Sequence, residues 1–277
     1  MVYLESIDLE NFKGVARLSC EFDDLTVLTG LNNSGKTTIL QAVYLLCGSL
    51  PKIASHKHIE HQNSQTRVIS VDSSLSSLGL RDTAWLSSIY KPDVEGTVTG
   101  RFNNSLQVEL GILRNNPSNV VFTVSTIGDP PPEKTLLKLI QEASTISAAI
   151  LTPPGEVPSR EDMIHGDQYQ NLVRQGKGSQ LWRNGIWWDI QTEGFESFAP
   201  VQEQIAKYFP EIELLLPTLS TGQEILIKYK ERTLGPLDIA QSGAGLRTFI
   251  SLARILRQSP AQIILLDEPD AHLHSSL

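Results

Sequence analysis

Gly30-Leu31-Asn32-Asn33-Ser34-Gly35-Lys36-Thr37 is the stretch on which the fold turns. It fits GxxxxGK[ST] at every fixed position. Its flanks fit too: an aliphatic run at 25–28 precedes it, and Ile39, Leu40, Val43, Leu46 and Cys47 follow at three- and four-residue intervals. The reading is strand, glycine-rich turn, helix. In that context the glycines let successive backbone N–H groups of Asn32, Asn33, Ser34 and Gly35 turn inward onto phosphates, and the helix beginning near Lys36 adds its positive end. Lys36 would neutralise the β- and γ-phosphates, and the Thr37 hydroxyl, with Thr38 beside it, would ligate the magnesium that bridges them.

A second element lies near the other end. Ile263-Ile264-Leu265-Leu266 is followed by Asp267-Glu268, four aliphatic residues and two carboxylates, which is how a buried strand delivers acids to a phosphate site. Asp267 would hold magnesium through water. Glu268, one residue on and so facing the other side of the strand end, would orient or deprotonate the attacking water. The third element is Gln241-Ser242-Gly243-Ala244-Gly245-Leu246-Arg247, directly before an amphipathic helix over 243–258. A serine and glycines at a helix start suit an anion, and equally suit an ordinary cap.

Composition limits the alternatives. With 277 residues, 40% hydrophobic and 19% charged, the chain is globular and large enough for a substantial core. No aliphatic run approaches the roughly 20 residues of a membrane span, so no membrane partner is expected. The acidic N-terminus is no signal peptide, and Cys20 and Cys47, without metal-ligand spacing, suit the reducing cytoplasm. A net charge of −8 excludes recruitment by bulk positive potential and leaves DNA or RNA open as a partner only through local patches.

Strands are expected around 3–9, 16–18 and 25–28. The polar stretch 51–92 reads as loops with a short strand at 67–71. Three β-rich runs at 94–101, 106–113 and 120–125 are separated by Asn/Pro turns and predict an antiparallel meander. Helices are expected at 133–143, 159–175 and 200–208, and strands at 148–151, 212–216, 224–229 and 263–266. The polar, aromatic segment with Trp182, Trp187 and Trp188 reads as a buried patch, with nucleic acid or protein binding as the alternative. There are no sustained heptads, hence no coiled coil.

The phosphate loop, the serine-glycine segment at Ser242 and the ending Asp267-Glu268-Pro269 occur in the order seen in ABC-type ATPase heads, which this chain resembles. The opening Leu9-Glu10-Asn11-Phe12-Lys13-Gly14, the loop through Thr38 and the run Asp267-Glu268-Pro269-Asp270-Ala271-His272-Leu273-His274 are similar to the non-transporter branch. That branch includes the chromosome-maintenance and recombination-repair heads and, most closely, the overcoming-lysogenization-defect (OLD) and related antiphage ATPases.

The resemblance implies an α/β P-loop NTPase fold, an ABC-type head with an antiparallel β subdomain and a helical, aromatic insertion. Residues 1–50 and 212–277 would form the head and 51–211 the meander and insertion. It further implies a head-to-tail dimer or higher homo-oligomer, in which Ser242, Gly243 and Gly245 contact the nucleotide held by the other copy's Walker A loop. Glu268 would be the base, Thr37 and Asp267 the metal-site residues, and His274 would stand where transporters carry an aspartate. An attached or associated effector, such as a nuclease in antiphage defence or DNA repair, would be the output. The chain stops at Leu277, ten residues after Asp267, before the switch-histidine strand of such heads, which predicts continuation or a completing partner.

Phe12 and Lys13 lie where some heads approach the nucleotide, although strand packing is the plainer reading. His272 and His274 suit an inter-subunit contact better than a metal, and His56, His58 and His61 suit a solvated loop. Arg160, Arg174, Arg247 and Arg254 are all conceivable transition-state arginines. Two readings compete: a hydrolysing, dimerising switch, and a catalytically weak ATP-bound scaffold that presents its insertion to a partner protein.

Overall fold

The computed structural model describes residues 1–55, 59–61, 64–70, 96–112, 119–151, 157–174, 181–232, 235–258 and 261–268. Packing divides the chain into two units, Met1–Ile150 with Pro260–Leu265 and Leu151–Ser259 with Leu266–Leu277.

The first unit is built on a seven-stranded sheet. Its strands are β1 (Leu4–Phe12), β2 (Val15–Glu21), β3 (Ile59–His61), β4 (Ser64–Ser70), β5 (Thr97–Phe102), β6 (Leu106–Ile112) and β7 (Asn119–Thr126), in the order β2-β1-β5-β6-β7-β4-β3. Every pairing is antiparallel, so the expected meander is present and the N-terminal hairpin joins it through β1 and β5. Along β5 and β6 alternate residues are buried: Val98, Phe102, Leu106, Val108, Leu110 and Ile112 point one way, while Thr97, Thr99, Arg101, Gln107 and Glu109 line the polar face. Period-two patterning of this kind fixes the register, because a slip of one residue would expose the whole apolar set.

Helix α1 (Lys36–Ser55) belongs to the same core, burying Ala42, Leu45, Leu46, Leu50 and Ile53. It runs beyond the expected end at 47 and through Pro51, because the apolar spacing continues to Ile53. By length and composition α1 meets the criterion for a membrane span, but half of it is buried among the sheet's side chains, as a core helix is. Helix α2 (Glu133–Ala143) adds Leu136, Ile140 and Ala143 to this core. The short strand β8 (Ala148–Leu151) pairs with the strand over Ile263–Leu266, and Leu265 is buried in the same cluster.

The expected strand at 25–28 does not form. Residues 26–30 have no regular structure, with Leu25 83% and Val27 74% exposed. An aliphatic run becomes a strand only where a neighbour takes its N–H and C=O groups. Among the described residues no strand pairs with this one.

The second unit contains α3 (Gly166–Arg174), α4 (Trp182–Glu193), α5 (Ala199–Tyr208), the short strands β9 (Ile212–Leu214), β10 (Thr218–Leu219), β11 (Ile225–Leu226), β12 (Lys228–Glu231) and β13 (Leu237–Asp238), and α6 (Ala244–Gln258). The strand over Ile263–Leu266 is β14. Strands β13-β12-β9 form a three-stranded antiparallel sheet. Trp182, Ile186, Ile190, Val201, Ile205, Leu246 and Ile250 bring α4, α5 and α6 into one cluster.

Helix was expected over 159–175, yet only its second half is helical. Residues 161–163 pair with 223–225 instead: Met163 N–H donates to the Gln223 carbonyl at 2.9 Å and Ile225 N–H to the Glu161 carbonyl at 3.0 Å. The Glu161 carboxylate then accepts the N–H groups of Arg183 and Asn184 at 3.0 and 2.8 Å, capping α4. Leu181, at the local cap position, offers no side-chain acceptor, so α4 is capped by a residue twenty positions away. The aromatic segment is largely buried as expected, with Trp182 7% exposed and Trp188 donating its Nε1–H to the Ile164 carbonyl.

Candidate nucleotide site

The phosphate loop lies in the first unit. Gly35 has φ +97°, and a Cβ there would sit 3.1 Å from Val15 Cγ2, so both the left-handed backbone and the hairpin's approach require glycine. Asn33 is also left-handed, at φ 62°. Ser34 N–H donates to the Leu31 carbonyl, and Ile39 N–H to the Gly35 carbonyl at 3.0 Å, which opens the hydrogen-bond ladder of α1. The Lys36 ammonium curls back over the loop and donates to the Gly30 and Leu31 carbonyls at 2.7 and 2.9 Å. The ammonium is thus held against the loop by two exposed hydrogen bonds beside the helix start. Asn32, Ser34 and Thr37 are exposed and Thr38 is half-buried.

The β1–β2 hairpin flanks this loop. Asn11 and Lys13 both have positive φ, 49° and 51°. Phe12 between them is fully buried, which makes it a core residue. Lys13 Nζ donates to Gln41 Oε1, one helical turn past Thr37, and burial lowers the lysine's pKa. Gln41 and Val15 are two neighbours of the loop that motif reading passed over. The hairpin opening Asn11-Phe12-Lys13-Gly14 was the signal that led to them.

At the other end of the constellation, β14 delivers Asp267, half-buried, and Glu268, exposed. Glu268 adopts φ 46°, a left-handed conformation that costs a residue with a Cβ on the order of 1 kcal/mol. The Thr37 hydroxyl and the Asp267 carboxylate are each hard oxygen donors, the chemistry that Mg²⁺ takes while keeping its remaining positions for water and phosphate. No cluster of three or more His, Cys, Asp or Glu side chains suited to a resident metal occurs among the described residues.

In the second unit, a 3-10 turn over Ile239–Gln241 leads into Ser242. Asp238 caps this turn, its Oδ1 accepting from Ala240 N–H at 2.9 Å. The Ser242 hydroxyl, 7% exposed as a residue, donates to the Ile239 carbonyl at 2.7 Å. Arg247 N–H reaches the Gly243 carbonyl, so Gly243 rather than Ser242 holds the cap position of α6. Burial would raise the Asp238 pKa, but the Arg183 guanidinium and the Ala240 N–H outweigh it and hold the carboxyl below its usual range.

Three of the four arginines considered for the reaction are engaged locally. Arg160 pairs with Asp162 at 3.2 Å. Arg247 donates to the Ala240 and Ser242 carbonyls. Arg254, 23% exposed, is clamped by Asp189 and by the Tyr169 hydroxyl; burial would lower its pKa, and these partners raise it instead. The side chain of Arg174, together with His56, His58, residues 152–156, and Pro269, Asp270, His272 and His274, lies outside the described residues. A cavity of about 450 Å³ on the polar face of the sheet, edged by Asp8, Glu10, Arg17, Arg101 and Glu109, contains no phosphate-loop residue and mixes both signs of charge, with Arg101 and Asp8 paired at 2.5 Å.

With this geometry in place, the similarities of the chain fall into one group. Residues 25–277 match the family described as "AAA domain, putative AbiEii toxin, Type IV TA system". The chain is similar to the Old nuclease of Escherichia phage P2, 24% identical over 314 residues that cover 99% of this chain and 52% of that protein. It therefore spans about half the length of the curated relative it matches.

Among solved structures it is similar to the Smc head domain of Pyrococcus furiosus, solved with an extended coiled coil and bound to the C-terminal domain of ScpA. The TM-score is 0.51 and the identity 15%, covering 99% of this chain and 84% of that one. The recombination mediator RecF, solved as RecF-ATPrS, gives a TM-score of 0.50 at 14% identity, covering 99% and 87%. At these identities the structures speak for the fold. That fold is the P-loop ATPase head the motifs predict.

Proposed function

Because the chain belongs to this AAA-domain family and is a P-loop ATPase, we propose that ATP binding brings two copies together head to tail and that the resulting dimer controls an effector. The observation that carries the reading is the Gly30–Thr37 loop at the start of α1, with the Lys36 ammonium lying across its carbonyls. In this reading residues 1–50 and 212–277 supply the phosphate-binding and hydrolytic segments of the head, and 51–211 the meander and insertion.

Loop N–H groups and Lys36 bind the β- and γ-phosphates. Thr37 and Asp267 are the residues that would hold Mg²⁺, which would supply charge neutralisation at the phosphoryl group. Glu268 takes a proton from the water that attacks the γ-phosphorus, the bond between that phosphorus and the bridging oxygen breaks, and ADP leaves. Ser242, Gly243 and Gly245 cap the nucleotide of the opposite copy, with His274 at the same boundary. The effector is a further domain or an associated protein. A nuclease is the form it takes in the phage P2 relative by that protein's name, and antiphage defence or DNA repair in the cytoplasm is the setting we propose.

The test is light scattering on the Glu268→Gln protein. Mg-ATP should double its mass while wild type turns over. No mass change in Glu268→Gln, with phosphate release from wild type equal to that of Lys36→Ala, would overturn the switch and leave the scaffold reading.

A further inference from the structure

Arg183 is the largest fully buried side chain among the described residues, with no solvent exposure. A buried guanidinium is tolerated only when its donors are met, and all three of its nitrogens are bonded. Nε and Nη2 donate to the Pro158 carbonyl at 3.2 and 3.0 Å, Nη2 to the Ser159 carbonyl and Nη1 to the Ile225 carbonyl at 3.3 Å each. Nη1 and Nη2 also grip both oxygens of Asp238, at 2.9 and 2.5 Å. A hydrophobic residue would fill this space at lower desolvation cost, so the pair's distinctive contribution is orientation.

The orientation it imposes falls on the turn before Ser242. Asp238, fixed in the fork of Arg183, caps that turn through Ala240 N–H, and the turn closes on Ser242, whose N–H and hydroxyl both donate to the Ile239 carbonyl. A second route arrives from the other side. Trp182 Nε1–H donates to Ser251 Oγ at 2.9 Å, Ser251 donates to the Arg247 carbonyl, and Arg247 grips the carbonyls of Ala240 and Ser242. Both routes start at adjacent residues of α4 and end on Ser242.

We propose that Arg183 and Asp238 are positioning residues for Ser242: α4, through their bidentate pair and the Trp182–Ser251–Arg247 relay, sets the geometry with which this serine meets the opposite copy's nucleotide. The inference rests on the proposed trans role of Ser242.

The experiment compares wild type, Asp238→Asn, Ser242→Ala and the double variant for nucleotide affinity, kcat, KM and ATP-dependent dimerisation. Asparagine keeps an acceptor for Ala240 N–H and loses only the charged fork. Asp238→Asn should lower kcat about tenfold and weaken the ATP-bound dimer about tenfold, with ATP affinity of the monomer within about twofold of wild type. In the Ser242→Ala background it should cost nothing further. Ser251→Ala, which trims one relay atom and leaves the ion pair, should give the same kcat-selective loss and keeps the test open if Asp238→Asn does not fold. Wild-type behaviour of both Asp238→Asn and Ser251→Ala, losses that add to those of Ser242→Ala, or a matching fall in monomer ATP affinity would each overturn the inference. An unchanged Ser242→Ala would instead refute the trans role on which it stands.

Discussion

Replacing Gly185 with alanine should destabilise the protein, against the ordinary expectation for a helix. Within α4, Gly→Ala normally stabilises by up to about 1 kcal/mol. Here a Cβ would lie 2.4 Å from Arg254 Nη1 and 2.6 Å from Cζ and Nη2, where ordinary contacts are about 3.5–4.0 Å. The guanidinium lies against the helix backbone and cannot simply swing aside, because Asp189 holds it through two nitrogens and Tyr169 through a third contact at 3.2 Å. Accommodating the methyl means a shift of about 1 Å in that clamp, with an overpacking cost of roughly 1–3 kcal/mol and loss of charge-assisted hydrogen bonds of roughly 1.5–3 kcal/mol each if they break. After the helix gain is subtracted, a net loss of up to about 2 kcal/mol is expected if the clamp's bonds survive, and more if one breaks.

Urea unfolding followed by tryptophan fluorescence reads mainly this unit, since three of the four tryptophans, Trp182, Trp187 and Trp188, lie on α4. The informative control is the Arg254→Met, Asp189→Asn background, which removes the guanidinium without leaving a lone carboxylate. There Gly185→Ala should raise the midpoint, corresponding to a stability gain of up to about 1 kcal/mol. A raised midpoint for Gly185→Ala in the wild-type protein would refute the packing argument.

Lys36→Ala should abolish Mg-ATP binding in a fluorescent-nucleotide titration while leaving the unfolding midpoint nearly unchanged, because its two loop bonds are solvent-facing. Cys47 is buried and its thiol pushed up to about 12, so a maleimide at pH 8 should label the native protein slowly and only at Cys20, as read by mass spectrometry, and reach Cys47 only after unfolding. Asp238 has a depressed folded-state pKa, so its stabilisation is fully present above the unfolded carboxylate range near about 3.9 and lost as pH falls through the folded value. Asp238→Asn should accordingly flatten the acid limb of stability against pH. Phe122→Ala, at a fully buried position of β7, should cost about 3–5 kcal/mol in denaturant unfolding.

The sequence by itself determined the elements whose cause is local. The helix after the glycine-rich turn, the meander strands, the helix at 133–143 and the strand over Ile263–Leu266 all carry their signal in residue spacing and all form, with α1 running on past its expected end to Ser55. Spacing could not show that β1 would pair with β5, or that residues 25–28 would lie unpaired, because a strand exists only with its partner. It could not show α4 as a helix either. Residues 182–186 are all buried, so no amphipathic period marks them, and the cap comes from Glu161.

Nor could composition place Arg183. Among tryptophans a cation reads equally well as a surface ligand or as a buried brace, and only the fold, by bringing Asp238 and three backbone carbonyls to its guanidinium, made it the second. The glycine-rich turn before α1 was legible because its pattern lies in neighbouring residues at fixed spacing. The bracing of Ser242 was not, because its partners come from Pro158 to Ser251 and meet only after the chain has folded.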